Sequence, residues 1–130
     1  MNSESKGVEY TVSILQTQSV ESYSMSATLE QHGNIRIDMQ LVGDFCRRHR
    51  VQELSIFGSA LRNDFRADSD IDILFELCPG EKMTIERFLG MQDELQAMFN
   101  RPIDLVEKPL VKNPYRRNEI LRTCEVLYAA

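Results

Sequence analysis

The sequence predicts an α/β fold, in the α+β arrangement, in which helices flank a small mixed β-sheet. Short apolar runs bounded by turn residues indicate three strands, at 51–57, 70–77 and 103–106. Apolar residues at helical spacing indicate helices before, between and after these strands. A length of 130 residues suits one domain with a single hydrophobic core. Helices packed on a small sheet are the arrangement that this order of elements favours.

Residues that favour helix ends mark three predicted helices. The first has an apolar face that includes Ile37, and it ends in cations at 47–50, which suit a helix C-terminus. We expect Thr84 to cap the second helix and Asn113, which is followed by proline, to cap the third. Residues 126–128 are predicted to form a final short strand.

The chain divides by pattern into a segment 1–38 and a domain 39–130. The first segment is rich in Ser, Gln, Thr and Glu with weak periodicity, and we expect most of it to be a loosely ordered extension. Residues 10–15 could form a strand, but nothing nearby supplies a partner. The well-patterned domain begins at Met39, which makes an internal translation start a hypothesis worth testing.

Charge and hydropathy exclude several classes of partner. The net charge is −5, and residues 39–130 hold fifteen acids against thirteen bases, so we expect no direct nucleic-acid binding. No apolar run approaches the length of about 20 residues that a membrane helix needs. The polar N-terminus has no signal-peptide core, and three cysteines occur singly. These features predict a cytoplasmic protein with no membrane partner.

The most informative motif joins Gly58–Ser59 to Asp70 and Asp72 across ten intervening residues. Both halves adjoin predicted strands. Carboxylates two residues apart on a strand point to the same face, with Cα atoms about 6.5 Å apart, so that both can bind one divalent cation. The Gly58–Ser59 turn can approach a phosphate closely, because glycine has no side chain to block it. The motif therefore predicts a phosphate site beside a metal site, as phosphoryl-transfer chemistry requires.

Asp104 interrupts an otherwise apolar predicted strand. If that strand lies beside the 70–77 strand, Asp104 faces Asp70 and Asp72, and a cation must offset the repulsion. Two alternatives remain open: Asp104 pairs with a cation such as Arg101, or it is exposed on an edge strand. Taken together, the three aspartates favour a metal site.

Two interpretations are open for the role of each arginine near the motif. Arg62, one turn after Ser59, either neutralises a phosphate or is ordinary solvated charge. Arg116 and Arg117 begin the last predicted helix, where cations are unfavourable against the helix dipole unless an anion is nearby. One of them meets a phosphate or an acidic partner, or both belong to a solvated face.

At residues 54–74, 101–106 and 125–128 the chain resembles the minimal nucleotidyltransferases of the superfamily related to DNA polymerase β. The resemblance covers residues 39–130 and implies the nucleotidyltransferase fold. It also implies that Asp70 and Asp72 bind Mg²⁺, as two ions, and orient ATP. Asp104 would complete the metal site and help deprotonate the attacking hydroxyl. Gly58 and Ser59 would hold the phosphates, with Arg62 beside them.

The chain departs from that family pattern at two positions. Many relatives have arginine directly after Gly-Ser and glycine after the next arginine, whereas this chain has Ala60 and Asn63. Asn63 tolerates a left-handed turn nearly as well as glycine. Ala60 removes one phosphate contact, and that would weaken nucleotide binding.

Short members of this family resemble antitoxins that bind a HEPN ribonuclease toxin and transfer AMP from ATP to its tyrosine. We therefore expect a Mg²⁺-dependent adenylyltransferase that forms a hetero-oligomer with a HEPN toxin, because the chain has no second domain to shape an acceptor site. Two alternatives stay open. The chain could neutralise the toxin by binding alone, or it could modify a small hydroxylated molecule such as an aminoglycoside.

Overall fold

The computed structural model describes residues 28–130, and the compact unit that carries the main sheet runs from Gln31 to Ala130. Two short turns of 3-10 helix lie at Gly58–Leu61 and Lys108–Leu110. In chain order the strands and helices are β1 (Leu29–His32), β2 (Ile35–Asp38), α1 (Met39–Arg48), β3 (Val51–Phe57), β4 (Ile71–Leu77), α2 (Ile85–Phe99), β5 (Ile103–Glu107), α3 (Pro114–Thr123) and β6 (Glu125–Ala129).

The main sheet has four strands in the order β5-β4-β3-β6. Strand β3 is antiparallel to both of its neighbours, whereas β4 and β5 are parallel. Parallel neighbours need a crossover connection, and α2 provides it. This confirms the predicted small mixed sheet with flanking helices. Strands β1 and β2 form a separate two-stranded sheet.

The two faces of the main sheet are covered differently. Along β4, Ile71, Ile73 and Phe75 are buried on one face, in the core cluster that α1 and α2 share. Leu74 points to the other face, where it joins a smaller cluster with Ile120 of α3. The second face carries less apolar covering, and that leaves room for polar side chains along the same strands.

The predicted helix caps are confirmed. The Thr84 hydroxyl accepts a hydrogen bond from the Arg87 amide at 3.1 Å, and Asn113 Oδ1 accepts from two amides at the start of α3. Helix α2 ends at Asn100, whose φ of 55° is left-handed. Within residues 28–130, no helix is long and apolar enough to cross a membrane.

The β1–β2 hairpin was not predicted. Ile37 lies in β2 and not on the face of α1, because Ile35 and Ile37 alternate with exposed residues and Asp38 caps α1 from the end of β2. Both isoleucines belong to the core cluster under α1 and α2. The strand considered at 10–15 lies outside the described residues, and the division of the chain at residue 39 stays a prediction.

Candidate active site

Asp72 and Asp104 are directly paired across the parallel strands β4 and β5. Their flanking residues, Ile71 and Ile103 among them, are buried in the core, so alternation directs both carboxylates to the opposite face of the sheet. Neighbouring strands lie about 4.8 Å apart, which brings the two side chains together. Asp72 is half-buried, and Asp104 is exposed at the edge of the sheet. The arrangement is the one expected if the two strands are neighbours.

Asp70 lies just before β4, two residues from Asp72, and is exposed. Its charge acts on Asp72. Among residues 28–130, no three Asp, Glu, His or Cys side chains are gathered as closely as a bound metal requires. The structure therefore brings Asp72 and Asp104 into contact and leaves Asp70 exposed just before β4.

Burial and the carboxylate of Asp104 raise the pKa of Asp72 to about 6. A side-chain hydrogen bond with Asp104 and the charge of Asp70 act in the same direction, whereas Arg62 opposes them. The Asp104 carboxylate thus disfavours ionisation of Asp72, and a divalent cation would reverse that effect. Carboxylate oxygens are the ligands that Mg²⁺ prefers, so this donor set fits Mg²⁺.

The Gly58 turn packs directly against Asp72. Gly58 has a φ of 77°, and a Cβ at this position would overlap the Asp72 carboxylate, so only glycine fits. Ser59 follows in the 3-10 turn; it does not cap that turn, and within residues 28–130 its hydroxyl has no hydrogen-bond partner. The turn therefore brings a free hydroxyl and closely approachable backbone next to the paired carboxylates.

A cleft of about 300 Å³ opens between the Gly58 turn and α3, lined by Arg62, Asp72 and Arg116 among others. Arg62 is exposed and pairs with Asp64 at 3.2 Å. Arg116 is exposed, and its guanidinium has no partner within the described chain. Arg117 instead donates to backbone carbonyls of the loop before α3, at 2.8 Å and 3.3 Å. Of the two arginines, Arg116 is therefore the one available to a ligand.

Arg101 does not neutralise Asp104. Its guanidinium donates to the carbonyl oxygens of Arg66, Ala67 and Ser69 at 3.0–3.2 Å, and it lies 4.3 Å from the centre of the Phe65 ring. These contacts hold the loop that leads into Asp70. Asp104 is exposed on an edge strand, as the other alternative predicts. At that position it also faces Asp72.

Ala60 is fully buried in the core cluster under α1 and α2. Its side chain serves packing in this chain and does not line the cleft. The sequence did not predict a further contact of this turn. Asn34, in the β1–β2 hairpin, donates a hydrogen bond to the Ala60 carbonyl. The Gly33–Asn34 pair is itself a turn signal that could have indicated the hairpin.

Comparison with known proteins identifies the family. The nucleotidyltransferase domain family matches residues 38–127. The chain belongs to the nucleotidyltransferase domain family. The candidate site residues from Gly58 to Asp104 all lie inside the matched range. The match begins at Asp38, the residue that caps α1.

Individual relatives agree with this assignment. The protein adenylyltransferase MntA of Thermococcus cleftensis is 35% identical over 83 residues, which cover 62% of this chain and 77% of that protein. A toxin–antitoxin structure with AMP-PNP has a TM-score of 0.59 and 16% identity, over 72% of this chain and 75% of that one. A tri-AMPylated Shewanella oneidensis HEPN toxin in complex with MNT antitoxin has a TM-score of 0.52 and 15% identity, over 71% and 70%. The two solved structures show the shared fold.

The raised pKa of Asp72 predicts how stability depends on pH. The folded-state pKa of about 6 exceeds the ordinary value of 3.8, so folding takes up a proton between these values and stability falls as pH rises through them. Asp72→Asn should therefore raise the thermal unfolding midpoint of the metal-free protein above about pH 7 and leave it unchanged below about pH 4. Asp68→Asn, at an exposed position, is the control. An equal effect of Asp72→Asn at both pH values would contradict the account.

Proposed function

We propose that this chain is a Mg²⁺-dependent enzyme that transfers AMP from ATP to a tyrosine hydroxyl of a HEPN toxin, and thereby acts as the antitoxin. The observation that carries the proposal is the pairing of Asp72 with Asp104 beside the Gly58 turn. The MntA relative is named a protein adenylyltransferase, and the structural neighbours include a HEPN toxin modified with AMP. Both support the proposal.

The carboxylates of Asp70, Asp72 and Asp104 would hold the metal, as two ions. When bound, Mg²⁺ neutralises the phosphate charge and the charge that develops on the attacking and leaving oxygens. A bound cation would lower the free-energy cost of ionising Asp72, whose pKa is raised by burial and by Asp104. Asp70 precedes Ile71, the first paired residue of β4, so its approach to the metal would leave the strand pairing unchanged.

The rim of the cleft would hold the triphosphate. The Gly58 turn offers approachable backbone and the Ser59 hydroxyl, whereas Arg62 and Arg116 bring positive charge from two different elements. Hydrogen bonds from a guanidinium to a phosphate are charge-assisted and therefore strong. The cleft thus places Asp72, one of the three proposed metal ligands, beside two arginines, and this charge pattern is complementary to a metal–nucleotide complex.

In the proposed reaction the acceptor oxygen attacks the α-phosphorus of ATP. The bond from that phosphorus to the oxygen bridging to the β-phosphate breaks, and pyrophosphate leaves with the electron pair. Asp104, exposed at the sheet edge, can take the proton of the attacking hydroxyl. Catalysis would otherwise consist of positioning and charge stabilisation.

The acceptor would come from a second protein, so the working form is a hetero-oligomer with the HEPN toxin. Asp104 and Asp70 are exposed, and an acceptor side chain can approach them from solvent. The proposal places this reaction in the cytoplasm, where ATP and Mg²⁺ are available. Direct nucleic-acid binding is not part of it, because acids outnumber bases in the chain.

Transfer of AMP to the toxin tests the proposal. The protein is incubated with Mg²⁺, α-labelled ATP and a HEPN toxin, and label is followed onto toxin tyrosines by mass spectrometry. Asp72→Asn and Asp104→Asn should each reduce transfer by about 100-fold or more, since each removes a carboxylate that would hold the metal that stabilises the transition state. Asp68→Asn, an exposed carboxylate in the preceding loop, should transfer normally.

The outcomes of that assay separate the alternatives. Full neutralisation of the toxin by the Asp72→Asn and Asp104→Asn variants, without any label on it, would mean an antitoxin that acts by binding alone. Label on a hydroxylated small molecule but not on the toxin would mean a small-molecule nucleotidyltransferase. Either result contradicts the proposal.

Arg116 provides a second test, directed at the nucleotide. Arg116→Ala should raise KM for ATP by about tenfold, the equivalent of one charge-assisted hydrogen bond of roughly 1.5 kcal/mol, with an unchanged unfolding midpoint. Lys112→Ala removes an exposed positive charge outside the cleft and is the matched control. An unchanged KM for Arg116→Ala, or an equal rise for Lys112→Ala, would exclude Arg116 from nucleotide binding.

A further inference from the structure

Residues 58–62, to which the proposed function assigns the phosphates, are called the phosphate turn. The β1–β2 hairpin contacts this turn through Asn34. The backbone amide of Asn34 donates to the Ala60 carbonyl at 2.8 Å. Its side-chain amide donates to the Ala60 carbonyl at 2.9 Å and to the Arg62 carbonyl at 2.7 Å. One residue therefore satisfies two carbonyl groups of the segment that carries Gly58, Ser59 and Arg62.

Gly33 allows this approach. Its φ is 58°, and a Cβ there would lie 2.8 Å from the Leu61 Cα and would overlap the Ala60 carbonyl. Only glycine, which has no Cβ, lets the hairpin turn come this close to the phosphate turn. The phosphate turn is thus in close contact with Asp72 through Gly58 and with the hairpin through Ala60 and Leu61.

The hairpin is itself anchored to the domain. Ile35 and Ile37 are 8% and 2% exposed and belong to the core under α1 and α2. His32 Nδ1 lies 2.7 Å from Glu125 Oε1 at the start of β6. A hairpin held in this way can transmit the rigidity of the core to the turn that it contacts.

We propose that Asn34 is a positioning residue for nucleotide binding, which fixes the backbone of residues 58–62 before the triphosphate arrives. The role rests on the proposed function, since it needs that segment to hold phosphates. A turn that is ordered in advance avoids the entropic cost of ordering it on binding, and affinity rises accordingly. The segment before Met39 is then part of the catalytic unit, and an enzyme that began at Met39 would lack this support.

Two substitutions separate hydrogen bonding from space filling. Asn34→Ala removes both side-chain donors. Asn34→Asp keeps the shape but turns an acceptor oxygen toward two carbonyl oxygens. If donation is what matters, the affinity for AMP-PNP should fall by about tenfold in Asn34→Ala and further in Asn34→Asp. Arg36→Ala, at an exposed position in the same hairpin, should bind as the unchanged protein does.

Amide hydrogen exchange gives a readout that does not need nucleotide. The Arg62 amide donates to the Ser59 carbonyl at 2.9 Å, and its exchange should accelerate in both Asn34 variants but not in Arg36→Ala. A shape-only role would make Asn34→Asp better than Asn34→Ala, and that result would overturn the proposal. So would unchanged exchange, or unchanged affinity for AMP-PNP. If exchange accelerates in a protein that binds no nucleotide at all, the proposed function fails, and with it the role in nucleotide binding.

Discussion

Asp72 and Asp104 repel each other, yet the fold gives them no freedom to separate. The register of β4 and β5 sets the two residues opposite each other. That register is maintained from the other side of the sheet, because a slip of one residue would turn Ile71, Ile73 and Leu105 out of the core. Hydrophobic burial on one face thus enforces an electrostatic cost on the other. Burial and this repulsion together raise the pKa of Asp72, and a bound cation would offset both effects.

Negatively and positively charged side chains around this pair come from different elements of the fold. Strands β4 and β5 supply the carboxylates, whereas the phosphate turn and α3 supply Arg62 and Arg116. Helix α3 takes its place because Ile120 packs with Leu74 on the thinly covered face. The same packing that fills this face therefore sets the position of an arginine across the cleft from Asp72. The β1–β2 hairpin contacts the phosphate turn through the hydrogen bonds of Asn34.

Local patterns predicted the parts of the fold that local chemistry determines. The caps at Thr84 and Asn113 depend on side chains within three residues, and they are as expected. The pairing of Asp104 with Asp72 was predicted only on the condition that their strands are neighbours, since strand order is a property of the whole sheet. Local patterns did not indicate the hairpin, because contacts with residues distant in the sequence stabilise it. In addition, Ile37 fits the spacing of α1 as well as that of a strand.

The roles of Arg116 and Arg117 likewise could not be predicted from local sequence patterns. Arg116 and Arg117 precede Ile120 by four and three residues, so helical spacing places both beside the buried side chain. Only the packed structure shows that Arg117 holds backbone carbonyls while Arg116 stays available. Similarly, Ala60 stood out in the sequence as a lost phosphate contact, but burial places its side chain in the core.

We propose that Asp72 and Asp104 form a metal site beside the phosphate turn, and the rest of the account depends on that site. Crystals grown with Mn²⁺ and AMP-PNP test it most directly, because anomalous scattering locates manganese independently of the atomic interpretation. The account predicts an anomalous peak within coordination distance of carboxylate oxygens of both Asp72 and Asp104, with the nucleotide phosphates beside Gly58. A nucleotide bound elsewhere, or manganese bound away from either carboxylate, would contradict it.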